Sequence, residues 1–309
     1  MAARITADAR QVPARPDAPS APGGVGVGVV VNAAAGIGLG GDPCVRLAER
    51  LPRSAILRLE DGADLVGLLE RTAAGYDILG VAGGDGSINA AAAVAHRSAK
   101  PLLVVPAGTL NHFARDLGVA SEDDAADAVE AGEAVAVDLA TIDGHPFLNT
   151  AAFGLYPELV DLRERLEGRI GKWPALVVAL VRLLPTAAPC EVEIDGQPRR
   201  LWLAFVGNCR YHPAGVGPAS RERLDDSVLD VRLVDAAPWS RVRLVLAAAT
   251  GRLDRSPVYE RRTTSRLRVR ASDGQPMRLA RDGETFDGAA EFSVEKVDRP
   301  LTVYAPAAG

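Results

Sequence analysis

Apolar residues follow two regimes along the chain. From Val25 to about Asp138, short continuous apolar runs alternate with segments of helical spacing. Residues 27–31, 54–59, 77–82 and 102–106 read as strands, and residues 42–50, 63–72, 87–97 and 110–117 as helices. The first helix opens with Asp42-Pro43, an N-cap followed by the proline that suits the first helical position. Continuously apolar strands alternating with helices predict a parallel sheet covered on both faces. Beyond Asp138 the period changes. Runs at 135–142 and 146–152 flank Asp143-Gly144, and runs at 191–194 and 200–206 flank Asp195-Gly196, which are hairpin signals. A helical stretch, 157–184, lies between them, and further strands are expected at 229–234, 265–270, 291–297 and 301–304. The expected fold class is therefore an α/β domain over 25–138 followed by a mainly antiparallel β-sandwich over 139–309, with residues 1–24 as a disordered tail.

Composition narrows the function. The chain has 309 residues with 48% hydrophobic and 24% charged, so it buries a sizeable core. A formal net charge of −5 argues against nucleic acid as a partner. Cys44, Cys190 and Cys209 are far apart and form no CxxC pair, which disfavours a zinc site or disulfide framework and suits a cytoplasmic location. The apolar run 175–184 is too short to span a membrane and contains Arg182. The first two dozen residues, rich in Ala, Pro and Arg, lack the apolar stretch of a secretory signal.

The sharpest segment for chemistry is 77–89, DILGVAGGDGSIN, where an apolar strand runs into Gly83-Gly84-Asp85-Gly86 and a helix begins at Ser87. Glycines let the backbone turn tightly and approach a ligand, and the exposed amides with the helix dipole suit phosphate. Asp85 is out of place in such a loop unless a metal or a transferred proton involves it. The next unit repeats the design: a strand at 102–106, the turn Ala107-Gly108-Thr109, then Leu110-Asn111-His112 opening a helix. Simple N-capping accounts for these polar residues one at a time. Two glycine turns at the carboxyl ends of neighbouring strands make a nucleotide cleft. Gly36-Ile37-Gly38-Leu39-Gly40-Gly41 also satisfies GxGxxG, but Asn32 to Ala35 separate it from the strand, unlike a dinucleotide fingerprint.

GGDGSIN followed by PAGTLNHFARDLG resembles the paired signature of the diacylglycerol kinase catalytic domain, the family that includes bacterial lipid kinases and sphingosine kinases. VVVNAAAG, NTAAFGLYPELV, the segment FVGNCRYHPAGVGPASRERLDDSVLDVRLV and RDGETFDG extend the resemblance over about Val27 to Tyr304. The resemblance implies an ATP-dependent lipid kinase with ATP and Mg²⁺ in an interdomain cleft and a lipid substrate at the membrane surface. It implies that Asn32, Gly83, Gly84, Asp85, Gly86, Ser87, Asn89, Gly108, Thr109 and Asn111 hold the nucleotide. Asp85, with Asp282 and Glu284 of the late Asp-Gly-Glu, would be catalytic, one of the last two as general base. Asp226, with the main chain at Arg223 and Val228, resembles a structural magnesium loop. Three positions depart from the family pattern: Ser87 stands for the usual Thr, His112 for Asp, and Ser227 for the glycine of the metal loop.

Two other readings stay open: an NAD-kinase-like enzyme with a soluble acceptor, and a non-catalytic member that binds nucleotide or lipid. The lipid is not named by the sequence, nor is the oligomeric state, a homodimer included. Residues 261–281 hold seven arginines, and Arg266, Arg268 and Arg270 alternate with Leu267 and Val269. In a strand this puts three guanidinium groups on one face, a basic platform for peripheral contact with an anionic membrane.

Overall fold

The computed structural model describes residues 17–32, 43–108, 111–183, 187–212, 220–237, 239–240, 242–243 and 253–306. The chain forms two compact units: one comprises residues 1–139, 222–226 and 298–309, the other 140–221 and 227–297.

The first unit is a six-stranded sheet. Its strands are β1 (Val27–Val31), β2 (Ala55–Arg58), β3 (Ile78–Gly83), β4 (Leu102–Pro106), β5 (Ala134–Val137) and β19 (Leu301–Tyr304), in the order β2-β1-β3-β4-β19-β5. All neighbours are parallel except β5 against β19. Residues of β1 and β3 are buried at every position, which is why these strands are continuously apolar. Helices α1 (Pro43–Arg50), α2 (Leu65–Gly75), α3 (Asp85–Ser98), α4 (His112–Leu117) and α5 (Glu122–Ala131) cover the sheet, α2 against α3 and α1 against α5. Gly28 permits the close approach of α2: a Cβ there would lie 2.5 Å from the Tyr76 ring and 2.7 Å from Thr72 Cγ2.

Three features differ from the sequence expectations. Helix α5 lacks a strong apolar run, but Ser121 and Asp124 close a capping box and Gly132 ends it at φ +74°. Strand β19 returns from the far end of the chain to lie between β4 and β5, whereas its position in sequence placed it with the second half. Residues 17–24, expected as tail, are packed: Ala21 is 2% exposed and donates to the Val129 carbonyl, Gly23 donates to Glu130, and the Tyr304 hydroxyl donates to the Pro19 carbonyl. These partners lie more than a hundred residues away, beyond the reach of local composition.

The second unit is antiparallel and β-rich. It contains β6 (Ala140–Ile142), β7 (His145–Phe147), β8 (Thr150–Gly154), β9 (Cys190–Ile194), β10 (Gln197–Asn208), β13 (Leu229–Asp235), β14 (Tyr259–Thr264), β15 (Arg266–Ala271), β16 (Met277–Arg281), β17 (Glu284–Gly288) and β18 (Glu291–Lys296). A separate two-stranded pair, β11 (Tyr211–His212) and β12 (Ser220–Arg221), joins them. The main strands form one hydrogen-bonded network rather than two separately bonded sheets. The reason is the twelve-residue β10, whose first half pairs with β9 and whose second half pairs with β8, while β13 runs along it as well. The network encloses one apolar core that includes Phe147, Phe153, Val206, Val231, Leu267 and Phe292. Asp143-Gly144 and Asp195-Gly196 turn hairpins with both residues at positive φ, as expected for Asp-Gly. The helical stretch is two helices, α6 (Tyr156–Ile170) and α7 (Lys172–Leu183), broken at Gly171 with φ +81°. Among the described residues no helix is long and apolar enough to cross a membrane.

Candidate active site

In the first unit, β1, β3 and β4 are adjacent and parallel, so their exits share one edge of the sheet. Gly83 ends β3 in register with Pro106 at the end of β4. The two following turns meet backbone to backbone: a Cβ on Gly108 would lie 2.6 Å from Gly84 Cα. Only glycine fits there. Asn111 holds the second turn, accepting from the Gly108 amide at 3.0 Å and donating to the Gly108 carbonyl at 2.7 Å, with its own backbone at φ +45°. Its side chain is therefore committed to the turn. Thr109 lies outside the described residues, as do Ala33 to Asp42 with the upstream glycine segment.

Helix α3 starts at Asp85 with Gly84 as its N-cap, so no side chain caps the first-turn amides. Those N–H groups and the positive end of the helix dipole make an anion site. Asn32, just past β1, donates from Nδ2 to Ser87 Oγ at 2.9 Å and ties the exit of β1 to the first turn of α3. Ser87 and Asn89 are buried and Gly86 is exposed. Asp85 Oδ1 and Asn89 Oδ1, four residues apart and hence on one helix face, are buried acceptors with no partner among the described residues. An unsatisfied buried acceptor costs about 1–3 kcal/mol, which a donor or a cation at this edge would offset.

The acidic loop also belongs to this unit as far as Asp226. A carboxylate oxygen of Asp226 lies within 4.8 Å of one on Asp138, and the Asp138 amide donates to the Leu224 carbonyl at 2.7 Å. Sequence reasoning did not select Asp138, which follows β5 more than eighty residues earlier. The Arg223 side chain pairs with Asp225 at 3.0 Å. Ser227 adopts φ +58°, which accounts for the glycine usual at this place. The second unit resumes at Ser227, and the carbonyl of the next residue, Val228, accepts from the Cys209 amide at 3.0 Å.

In the second unit, Asp282-Gly283 turns the β16–β17 hairpin at φ +43° and +89°. The Asp282 carboxylate is enclosed by the segment between β7 and β8. Oδ2 accepts from the Leu148 amide, and Oδ1 from the Asn149 and Thr150 amides, each at 2.8 Å. Burial pushes this carboxyl above the ordinary carboxylate range, while the three amides and the Arg221 charge act against that rise. Arg221 is 3% exposed and pins the same segment from its carbonyl side, donating to Leu148 O at 2.6 Å and to Asn149 Oδ1 at 2.7 Å. Asn208 adds a bond to Leu148 O at 2.9 Å and accepts from Lys296 at 2.5 Å. Glu284 is exposed, and its carboxylate has no partner among the described residues. The two late carboxylates thus differ in kind: Asp282 organises a loop, and Glu284 is available.

Strand β15 alternates as its pattern requires, with Arg266, Arg268 and Arg270 exposed and Leu267, Val269 and Ala271 buried. Carboxylates interleave with them. Arg266 pairs with Glu295, Arg262 pairs with Asp195 at 2.9 Å, and Arg270 lies 4.0 Å from Glu193. The expected basic platform is close to charge-balanced. A groove of about 380 Å³ elsewhere in this unit is lined by Leu155, Leu183, Ala187, Ala188, Cys190 and Met277, with Glu158 and Arg278 as its charged members. Burial, with the charges of Asp273 and Glu191, pushes the Cys190 thiol up to about 11, so it is no nucleophile near neutral pH.

Residues 26–142 match the diacylglycerol kinase catalytic domain family. A diacylglycerol kinase from Bacillus subtilis is 31% identical over 223 residues, covering 68% of this chain and 71% of that protein. The chain belongs to the diacylglycerol kinase family. A probable lipid kinase, YegS-like, from Pseudomonas aeruginosa is 30% identical to this family member over 260 residues, covering 80% of this chain and 83% of that one. A solved diacylglycerol kinase from Bacillus anthracis superposes with a TM-score of 0.66 at 21% identity, covering 91% of this chain and 96% of that one, which shows the shared fold. In this diacylglycerol kinase family member, the paired glycine turns and the position of Asp85 were plain in the sequence. The places of Asp138 beside Asp226 and of Arg221 beneath Leu148 were not, and a buried Arg three residues before Leu224-Asp225-Asp226 carried no local signal.

Proposed function

We propose that the protein transfers the γ-phosphate of ATP to the hydroxyl of a diacylglycerol-like lipid. The observation that carries this reading is the glycine edge of the first unit. Two backbone turns touch there, the first-turn amides of α3 are uncapped, and the buried Asp85 and Asn89 oxygens await partners. Parallel α/β sheets bind ligands outside the carboxyl ends of their strands where the winding reverses, here between β1 and β3. Phosphoryl transfer asks for positioning and charge neutralisation, and glycine amides with carboxylates supply both without a P-loop lysine. The printed names of the Bacillus subtilis and Pseudomonas aeruginosa relatives support a lipid as the acceptor.

In this reading the amides of Gly84 to Ser87 hold phosphate oxygens, Asn32 orients Ser87, and Asn111 keeps the Gly108 turn out of the way of the ligand. Glu284 accepts the proton of the lipid hydroxyl, because Asp282 has both oxygens occupied. The unpartnered Asp85 oxygen fits a hard cation, as does the Asp138–Asp226 pair, so these residues would hold Mg²⁺. Bound Mg²⁺ supplies charge neutralisation to the phosphates. The groove beside Leu183 and Met277 has the size and apolar lining for an alkyl chain.

The test is labelled ATP with a panel of lipids in mixed micelles. Transfer to diacylglycerol by the wild type, and its loss in Asp85→Asn with the fold intact, is the expected result. Label passing to NAD and to no lipid would move the assignment to a soluble acceptor. A near-normal rate in Asp85→Asn returns Asp85 to helix capping.

A further inference from the structure

The segment after β13 carries an exposed tryptophan with no packing partner among the described residues. Trp239 is 77% exposed and sits at φ +63°. A left-handed backbone is unfavourable for a bulky aromatic residue, and exposing the ring forgoes its burial. Both the conformation and the side chain are therefore retained at a cost, which points to a role outside the folded unit. Two hydrogen bonds fix its described neighbours. Ser240 is buried and accepts from the indole of the buried Trp202 at 2.7 Å, and the Arg243 amide donates to the Trp239 carbonyl at 3.1 Å. That i to i+4 bond puts Trp239, Val242 and Arg243 on one side of a helical turn. Val242 is 52% exposed and Arg243 is exposed as well. Helix α7 enters the same buried cluster as Trp202 through Ala179, and its Val181 and Arg182 are exposed. Neither residues 239–243 nor α7 contain a carboxylate, in a chain whose net charge is −5.

An aromatic ring, an exposed aliphatic side chain and a guanidinium group form the chemistry of an interfacial anchor. The ring sits at headgroup depth and the arginine faces anionic lipid. We propose that Trp239, Val242 and Arg243 dock the protein on the surface of an anionic bilayer. The inference rests on the lipid-kinase reading above, since a lipid acceptor has to be met at a membrane. It replaces the charge-balanced β15 face as the surface that makes this contact.

The experiment is co-sedimentation of the full chain with phosphatidylglycerol–phosphatidylcholine vesicles and with phosphatidylcholine vesicles, at low and high salt. The variants are Trp239→Gly, which suits φ +63°, and Arg243→Gln. The wild type is expected to bind the anionic vesicles with salt sensitivity, and Trp239→Gly to lose on the order of tenfold or more in partitioning, the scale of one buried aromatic side chain. Arg243→Gln should weaken binding to anionic vesicles alone. Both variants should phosphorylate a dispersed short-chain diacylglycerol like the wild type, which separates failure of the docking surface from failure of the kinase reading. Unchanged vesicle binding in Trp239→Gly overturns the proposal. A concentration-dependent dimer that dissociates in Trp239→Gly, without vesicle binding, also overturns it and assigns the face to a second copy.

Discussion

Asp282→Asn separates a loop-organising carboxylate from a general base. The substitution keeps size and shape but leaves one acceptor where three part-buried amides converge. If the new carbonyl takes the place of Oδ1 and keeps Asn149 and Thr150, its NH₂ faces the Leu148 amide, donor against donor. One charge-assisted bond is lost, one part-buried donor is left unpaired and two bonds lose their charge, which together come to about 3–5 kcal/mol. All three tryptophans, Trp173, Trp202 and Trp239, lie in the second unit, so their emission during urea unfolding reports that unit. With an m-value of about 2–3 kcal/mol/M, the midpoint should fall by about 1–2 M, and activity should fall with it. Glu284→Gln should leave the midpoint unchanged, because its carboxylate is exposed, yet lose about 10²–10⁴-fold in kcat. If Asp282→Asn unfolds like the wild type but is inactive, while Glu284→Gln turns over normally, the proton is taken by Asp282 and the assignment made here is wrong.

Asp230 is fully buried, and burial alone would raise its carboxyl; hydrogen bonds from Arg261 and Arg232 outweigh that and hold it below the usual value. Its stabilisation is present above the unfolded carboxylate value of about 3.9 and is lost as pH falls through the lower folded value. Asp230→Asn should therefore cost about 3–5 kcal/mol at neutral pH, with the gap from wild type closing below about pH 4 in melting curves. Ser227→Gly relieves a left-handed backbone and should stabilise by up to about 1 kcal/mol; a lower melting temperature would show that the serine side chain outweighs its strain. Ala188→Trp fills the apolar groove and should raise the KM for long-chain lipid while leaving that for ATP unchanged, and equal effects on both would detach the groove from the acceptor. EDTA should lower the melting temperature of the wild type but not of Asp226→Ala, if Asp138 and Asp226 hold an ion that steadies the first unit.

The sequence by itself determined what depends on near neighbours. The alternation of buried strands and helices through Leu117, the Asp-Gly hairpins at 143 and 195, and the glycine turns at 83–86 and 107–108 are all written within a few residues. Backbone sterics and hydrophobic period act at that range. The capping box Ser121–Asp124 was legible in the same way, although no apolar run drew attention to α5. Tertiary structure alone decided what depends on residues far apart. It put β19 into the first sheet, since Leu301, Val303 and Tyr304 suit either core equally and only the pairing edges of β4 and β5 select one. It brought Asp138 to Asp226, left Asp85 Oδ1 without a partner among the described residues, and wrapped Asp282 in amides 132 to 134 residues away. An Asp-Gly turn has the same local sequence whether its carboxylate faces water or closes a loop. Which of these it does is settled by what the folded chain places opposite it.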